Sequence, residues 1–359
     1  MREHSSSQLT HRERVVTALE HKETDRVPIA MICGGINPPA EKELRAYLSR
    51  TRNLTLEEFL NPLLDIKTVD PTYVGPALGD REDIWGVVRK PMSYGPGSYD
   101  EIGYYPLAEA RSVDDVLKHR WPSPDWFDYS SIPDRVREAN SDGDYAIIAS
   151  GGNIFETAWY MRGFERMFVD ILESPELAAT ILDKVTDFYV ERASRMLAAA
   201  GGRIDLVFTA DDIGGQQGLL MSLSTWEHIL KPLHRRLNAA IHEFDTRVIY
   251  HTDGSVMEAI PGLIDMGIDV LQALQFDARG MDPNVMKASY GDRLSFEGGI
   301  SVQSTLPFGT VEDVKKEVAE RIAVLGKGGG YILGPSHAVQ AGTPPENIAA
   351  MFDAATKRL

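Results

Sequence analysis

Residues 247–254 read Arg247-Val-Ile-Tyr-His-Thr-Asp-Gly254, and this segment is the clearest indication of the fold class. Its apolar first half is typical of a short buried strand, and its second half carries a histidine, a carboxylate and a glycine. A helical pattern follows from residue 256 to residue 266, and Gly267 stands where a glycine commonly ends a helix. Because a buried strand followed by a helix is the unit of a parallel sheet, this stretch predicts an α/β protein.

The same unit recurs along the chain. Apolar runs predict strands at residues 145–150, 205–210, 247–251, 270–274, 293–297 and 330–333. Helical patterns predict helices at residues 175–200, 224–244, 283–290 and 311–325, and from 345 to the C-terminus. Pro232 predicts a kink in the second of these helices. Residues 26–31 supply a seventh strand, and an eighth is expected near residues 68–74. This count favours a (β/α)8 TIM barrel over the alternative, a doubly wound open sheet.

The whole chain, residues 1–359, is predicted to form one barrel domain. Residues 53–129 are rich in proline, glycine, aspartate and aromatics, so we expect them to form an elaborated N-terminal insertion. Residues 1–9 are polar and are expected to be a disordered tail.

Composition narrows the class of protein. The net charge of −16 disfavours nucleic acid and anionic membranes as partners, since both bind basic surfaces. No apolar run of about 18 residues is present, so no transmembrane helix is expected. Cys33 is the only cysteine, so the chain has no internal disulfide. Together with the lack of a secretory signal, this predicts a cytoplasmic enzyme.

Polar residues follow the predicted strands at the end where a barrel carries its active site. His251 and Asp253 follow one strand and His337 follows another. Imidazole and carboxylate groups suit zinc, and three protein ligands with an open fourth position are typical of catalytic sites. Without a metal, the two histidines could act as a general acid and base. Alternatively, His251 is a core histidine and Asp253 caps a helix.

Other candidates lie at the same end of the barrel. Asp211 and Asp212 end an apolar strand, where they could act as an acid, a base or a substrate anchor, or could cap a helix. Further residues could bind the substrate: Asn153, Glu156, Arg162, Gln217 and Gln275. Cys33 is a candidate ligand or nucleophile, although single cysteines near apolar runs are more often buried and inert. The chain has no P-loop and no strand-linked G-x-G-x-x-G, which disfavours nucleotide binding.

Several motifs resemble those of the uroporphyrinogen decarboxylase superfamily from about Thr10 to the C-terminus. They are Asp211-Asp-Ile-Gly-Gly-Gln-Gln-Gly-Leu-Leu-Met-Ser222, His251-Thr-Asp-Gly254, Gly280-Met-Asp-Pro283, Gly291-Asp-Arg-Leu-Ser-Phe-Glu-Gly-Gly299 and Thr343-Pro-Pro-Glu-Asn347. The resemblance implies a (β/α)8 barrel, in agreement with the strand count.

The superfamily contains two chemistries, and the resemblance bears on both. True uroporphyrinogen decarboxylases carry an arginine-rich R-x-A-G-R motif after the first strand, which binds the substrate carboxylates. Residues 31–39 contain no arginine here. Corrinoid-linked methyltransferases bind zinc through H-x-C and a later cysteine. Those positions correspond here to His251, Asp253 and His337, a set without a thiolate. Such a set would either bind a metal that activates a methyl ether or amine, or bind no metal.

The resemblance is nearest to the branch found beside anaerobic O-demethylase systems. It implies a methyltransferase that acts on a small substrate, with zinc as a candidate cofactor and a corrinoid protein as the partner. A homodimer is one assembly that such an enzyme could form. The alternatives are decarboxylation of a porphyrinogen or smaller acid, and a non-catalytic protein that binds a tetrapyrrole or corrinoid.

Overall fold

In the computed structural model, which describes residues 8–93, 95 and 97–356, seven parallel strands form one curled sheet. In order across the sheet, the strands are Ile66–Thr68, Ala146–Asn153, Leu206–Ala210, Arg247–His251, Val270–Ala273, Ser295–Ile300 and Tyr331–Pro335. This order is also the order along the chain. Each crossover therefore leads to the neighbouring strand, which is the connectivity of a TIM barrel.

A short segment joins the two edges of this sheet. The N–H of Ala30 donates to the carbonyl of Leu333 at 2.9 Å, on the last strand. On the other side, the N–H of Asp65 donates to the carbonyl of Ile29 at 2.9 Å, next to the first strand. This closing segment, residues 26–31, therefore occupies the eighth strand position of the barrel. The expected TIM-barrel fold class is confirmed.

Two predicted strands differ from the structure in extent. Residues 26–31 form only an isolated bridge at Ile29, not a full strand. Pro28 has no N–H to donate to a ladder, and Gly34 and Gly35 turn the chain with φ angles of +69° and +59°. The strand expected near residues 68–74 lies slightly earlier, at Ile66–Thr68.

Helices surround the sheet, and those predicted from the sequence lie close to their expected ranges. The α-helices are His11–Leu19, Pro38–Arg52, Leu56–Leu60, Val113–Leu117, Ile132–Ala139, Ile154–Arg162, Phe164–Glu173, Pro175–Ala200, Leu223–Ile229, Lys231–His242, Ile260–Asp265, Pro283–Tyr290, Thr305–Phe308, Val311–Leu325 and Pro345–Ala355. Short 3-10 helices cover Pro124–Trp126, Tyr129–Ser131 and Met257–Ala259. The expected kink beside Pro232 is confirmed, since the helical region 223–242 is broken at Leu230.

Within the part of the chain that the structure describes, three two-stranded antiparallel sheets lie outside the barrel. Val88–Ser93 pairs with Ser98–Tyr104, Thr72–Tyr73 with Phe127–Asp128, and Gly214–Gly215 with Gly218–Leu219. The first two belong to the stretch 53–129, which also contributes the first barrel strand. The predicted tail lies outside the described residues, except for residues 8 and 9. No helix in the described ranges has both the length and the apolar character needed to cross a membrane.

The barrel interior is filled by a small apolar cluster that includes Ile148, Leu206, Ile249, Val270 and Ile332. A larger cluster lies between the sheet and the helices. Side chains alternate along a strand, so His251, two residues after Ile249, also points into the barrel. The carboxyl end of the barrel therefore begins with a polar layer on top of the apolar one.

Candidate active site

His251 is the centre of the polar layer. Its side chain is buried, with a relative exposure of 6% for the residue. Its Nδ1–H donates to Oε1 of Gln272, the cross-strand partner on the neighbouring strand. Its Nε2 lies 3.7 Å from Oδ1 of Asp212. Because Nδ1 is engaged by an acceptor, Nε2 is the nitrogen that faces the barrel mouth.

Cys33 and His337 meet His251 at this place. One candidate ligand atom from each of these three residues lies within 4.8 Å of the other two. The loop that holds Cys33 packs tightly against the one that holds His337, since a Cβ at Gly34 would lie 2.7 Å from Cβ of Ala338. Glycine at this position therefore allows the thiol to approach the two histidines.

The electrostatics of the three groups are coupled. Burial alone would raise the pKa of the Cys33 thiol, but hydrogen bonds and positive charge from His251 and His337 lower this pKa to about 6. Burial would in turn lower the pKa of His251, but its hydrogen bond to Cys33 and the nearby negative charges raise it to about 10. The thiolate with imidazolium partners is therefore the favoured pairing at neutral pH.

Two carboxylates border this cluster. Oδ2 of Asp253 lies 3.8 Å from Nε2 of His337, and the backbone N–H of Asp253 donates to Oδ1 of Asp212 at 2.8 Å. Burial raises the pKa of Asp253. Asp212, His251 and Asp253 also place one candidate ligand atom each within 4.8 Å of the others. The sequence-predicted residues His251, Asp253 and His337 are therefore neighbours, but they are divided between two groups that share His251, one completed by Cys33 and the other by Asp212.

Two glycine-containing loops position these carboxylates. A Cβ at Gly214 would lie 2.6 Å from the carbonyl oxygen of Asp253, and one at Gly254 would lie 2.6 Å from the backbone of Gly214. Oε1 of Gln275 accepts from the N–H of Gly254 at 2.8 Å. Gln275 is buried, so its amide holds the loop after His251. The close approach of the two backbones explains why both motifs contain glycine.

Asp211 lies beneath the mouth and is fully buried. Its carboxylate accepts from the backbone N–H groups of Phe155 and Glu156 at 2.7 and 2.8 Å, and Nε2 of His234 lies 2.6 Å from Oδ2. These are the first N–H groups of the helix Ile154–Arg162. Asp211 therefore caps a helix that follows a different strand, and it positions Glu156 instead of facing a substrate.

Glu156 is a half-buried carboxyl group beside the histidine. Its Oε2 accepts from Nδ2 of Asn153 at 2.8 Å, and its Oε1 accepts from the hydroxyl of Tyr160 at 3.3 Å. Burial and the charges of Asp211 and Asp212 raise the pKa of Glu156 to about 7. A carboxyl group with this pKa can release or take up a proton near neutral pH.

Two expected substrate-binding residues do not reach this site. Arg162 is buried, its Nε lies 2.6 Å from Oδ2 of Asp170, and its guanidinium also donates to the carbonyls of Leu107 and Ala108. These contacts occupy the guanidinium and tie the helix to the stretch before it. Gln217 is exposed on the tight turn between two short strands.

A cavity of about 240 Å³ opens beside the histidine cluster. Its lining includes Asp253, Gln275, Ser336 and His337. A larger cavity, of about 460 Å³, lies at the opposite end of the barrel, beside the start of the strand Tyr331–Pro335. The smaller cavity is lined by the imidazole of His337 and the carboxyl group of Asp253, so it is the candidate substrate site.

Sequence reasoning gave too little weight to three residues. Cys33 was named as a candidate ligand or nucleophile, with a buried inert thiol as the more common alternative, and the structure places it beside His251 and His337. Gln272 and Glu297 were not singled out, yet both are buried polar residues inside the barrel. The feature of the sequence that could have indicated Gln272 and Glu297 is a polar residue at an inward-facing position of an otherwise apolar strand.

The sequence of the chain is similar to those of known proteins. The family model described as uroporphyrinogen decarboxylase (URO-D) matches residues 109–358. A uroporphyrinogen decarboxylase from Alkalilimnicola ehrlichii is 25% identical, over 95% of this chain and 93% of that protein. A methylated-thiol–coenzyme M methyltransferase from Methanosarcina mazei is 30% identical, over 83% of this chain and 69% of that protein.

A solved structure supports the fold. The structure of a methyltransferase from Methanosarcina mazei superposes with a TM-score of 0.67 at 20% identity. The match covers 97% of this chain and 98% of that one. The similarity of fold therefore extends over nearly the whole chain.

Proposed function

The chain belongs to the uroporphyrinogen decarboxylase family, and on that premise we propose that it is a methyltransferase. In this proposal it moves a methyl group between a small substrate, such as a methyl ether or amine, and a corrinoid held by a partner protein. The relative with the highest identity among those compared above transfers methyl groups from methylated thiols to coenzyme M. Methylated thiols are therefore further candidate donors.

The observation that carries the proposal is the meeting of Cys33, His251 and His337 beside the cavity. One thiolate and two imidazoles are a zinc-binding donor set, and three protein ligands leave a fourth position open. Nε2 of His251 faces the mouth while Nδ1 binds Gln272, as expected for a zinc-binding histidine. Zinc bound there would supply Lewis acidity towards the heteroatom that carries the methyl group.

The chain's own residues would handle the proton and the orientation of the substrate. When the methyl group leaves, the bond between its carbon and the donor heteroatom breaks, and the electron pair stays on the heteroatom. The new bond to the methyl carbon uses an electron pair of the partner's reduced corrinoid. Glu156 would give its proton to the heteroatom, and Asp212 and Asp253 would orient the donor. Asn153 would hold the Glu156 carboxyl in place.

Decarboxylation has weaker support at this site. In the region 31–39 the chain offers no arginine for a substrate with many carboxylates. Around the cavity the acidic residue is Asp253, and basic Arg or Lys residues are absent from its described lining. A polyanionic porphyrinogen would therefore meet little positive charge.

Methyl transfer to free Co(I) cobalamin tests the proposal. The purified protein, with added zinc, is assayed with aryl methyl ethers, methylamines and methylated thiols. We expect transfer from at least one class and about one zinc per chain, both lost in Cys33→Ser and in His251→Ala. His228→Ala changes an exposed histidine and should leave both intact. If no donor reacts, or if CO2 is released from a porphyrinogen without cofactor, the methyltransferase proposal fails.

A further inference from the structure

A buried carboxyl group inside the barrel has no role in the site described so far. Glu297 lies on the strand Ser295–Ile300 with a relative exposure of 1%. Neither of its carboxyl oxygens makes a hydrogen bond of normal geometry. An unsatisfied buried carboxyl is costly, so a fold that keeps one has usually kept it for a reason beyond stability.

Three polar side chains stand side by side on three neighbouring strands. His251 is the cross-strand partner of Gln272, and Gln272 is the cross-strand partner of Glu297. Cross-strand partners in a parallel sheet point to the same face, so all three occupy one layer inside the barrel. The next strand leaves room for this row, because a Cβ at Gly334 would lie 2.6 Å from Oε1 of Glu297.

The amide of Gln272 joins the two ends of the row. Its Oε1 accepts from Nδ1–H of His251, so its NH₂ group points away from His251 within the amide plane. Burial raises the pKa of Glu297 well above its usual value, and the amide of Gln272 opposes this shift, so its NH₂ group faces the Glu297 carboxyl. A glutamine amide can rotate by 180°, and the rotated form would offer N–H to Nδ1 of His251. That form would select the tautomer with hydrogen on Nε2, which cannot bind a metal through Nε2.

We propose that Glu297 is a positioning residue, which acts through Gln272 to hold Nε2 of His251 towards Cys33 and His337 as the nitrogen that can bind a metal. Glu297 provides the oxygen acceptor that keeps the NH₂ group of Gln272 away from His251. Glu297 does not touch the substrate. This inference deepens the proposed function and rests on its metal site, because its effect is a property of His251 as a ligand.

The test replaces Glu297 and measures the metal site directly. Glu297→Met removes the acceptor but keeps a long buried side chain, whereas Glu297→Gln keeps one acceptor oxygen. We titrate each purified full-length protein with Co²⁺ against a chelating indicator and record the thiolate-to-cobalt and ligand-field bands. Loss of an outer partner of a histidine ligand typically costs about 10- to 100-fold in metal affinity. We expect this loss, with altered ligand-field bands, in Glu297→Met and a near-native site in Glu297→Gln.

A stability measurement separates positioning from a purely structural role. Glu297→Met should leave the urea midpoint of the metal-free protein unchanged or raise it, because an apolar side chain replaces an unsatisfied carboxyl. Glu317→Met is the matched control, since Glu317 is also buried with an unsatisfied carboxyl oxygen but lies on an outer helix. This control should bind Co²⁺ with native affinity and spectrum.

The outcomes distinguish this inference from the proposed function. If the wild-type protein binds Co²⁺ but Glu297→Met binds it with the same affinity and bands, the positioning role is excluded while the metal site stands. A Glu297→Met protein with a large fall in its urea midpoint would show that Glu297 serves the fold. If the wild-type protein binds no Co²⁺, both the metal site and this inference are overturned.

Discussion

Glu156 is the residue whose ionisation should be visible in the rate of methyl transfer. Its raised pKa, about 7, comes from burial and from the charges of Asp211 and Asp212, while His251 opposes the shift. Tyr160, whose ring lies near the Arg89 guanidinium, is the other titratable neighbour in contact with it. An acid must be protonated to act, so its activity is present below its pKa and is lost above it.

We therefore expect kcat/KM to fall as the pH rises through about 7. Glu156→Gln should lower the rate strongly and remove this limb of the profile. Asp212→Asn removes one negative neighbour, so the limb should move to lower pH. The measurement is the pH profile of methyl transfer for the three proteins. A limb that persists unchanged in Glu156→Gln would assign the titration to another group.

At the level of single residues, the sequence indicates the kind of side chain but not its partner. His251 and His337 could be named because each follows a strand, and position on a strand is a local property. The role of Cys33 depends on how the closing segment packs beside the last strand. That packing is set by contacts between distant parts of the chain. Glu297 shows the same limit, since its neighbours Gln272 and Gly334 come from other strands.

At the level of elements, the helix Ile154–Arg162 is tied to the site by a cap from another strand. Its first N–H groups donate to the carboxylate of Asp211, which also contacts His234. An acidic group at a helix N-terminus is favoured by the helix dipole and satisfies unpaired N–H groups. The cap fixes where the helix begins and so fixes the position of Glu156.

Asp211→Asn should therefore affect stability and catalysis together. Hydrogen bonds to a charged group contribute about 1.5–3 kcal/mol each, so we expect a loss of about that size in the free energy of unfolding. We also expect slower methyl transfer, because Glu156 loses its fixed position. Asp282→Asn is the control, since Asp282 caps the helix Pro283–Tyr290 in the same way but is exposed. If Asp211→Asn has the same free energy of unfolding in urea and the same rate of methyl transfer as the wild type, the proposed role of the cap is wrong.

The bounds of helices were easier to predict from the sequence than the contacts within the site. The helices Pro175–Ala200, Pro283–Tyr290 and Val311–Leu325 coincide with their predicted ranges, because proline or a capping residue marks each start. The segment 26–31 was predicted as a strand from its apolar residues alone. Its pairing is limited to Ile29 by Pro28 and by the glycine turn that follows.

At the level of the whole molecule, the barrel is closed by a buried carboxylate. Asp65 has no exposed surface, and its oxygens accept from the backbone N–H of Ile29 and from the guanidinium groups of Arg14 and Arg26. His11 also lies 2.8 Å from Oδ1. Burial would raise the pKa of Asp65, but these partners lower it overall. The Asp65 carboxylate, which we call the ionic centre, thus joins the closing segment, the first helix and the first strand.

Asp65→Ala should destabilise the barrel strongly. It removes the acidic partner of Arg26 and one of the two carboxylates that pair with buried Arg14, and it frees the N–H of Ile29. Breaking a buried ion pair typically costs about 3–5 kcal/mol. The control, Asp353→Ala, breaks the partly exposed pair between Arg52 and Asp353 and should cost less than about 1 kcal/mol. Urea unfolding of the metal-free proteins measures both changes. A loss below 1 kcal/mol in Asp65→Ala would show that the closure does not depend on this centre.

The same centre predicts how stability depends on pH. Because the pKa of Asp65 is lower in the folded protein, its contribution is present above the unfolded pKa of about 4 and is lost as the pH falls through the folded value. The wild-type protein should therefore lose part of its stability below about pH 4, and Asp65→Ala should lose less over that interval. The measurement is urea unfolding of the two metal-free proteins as a function of pH. Equal losses of stability in the wild type and in Asp65→Ala over that interval would assign the acid sensitivity to other groups.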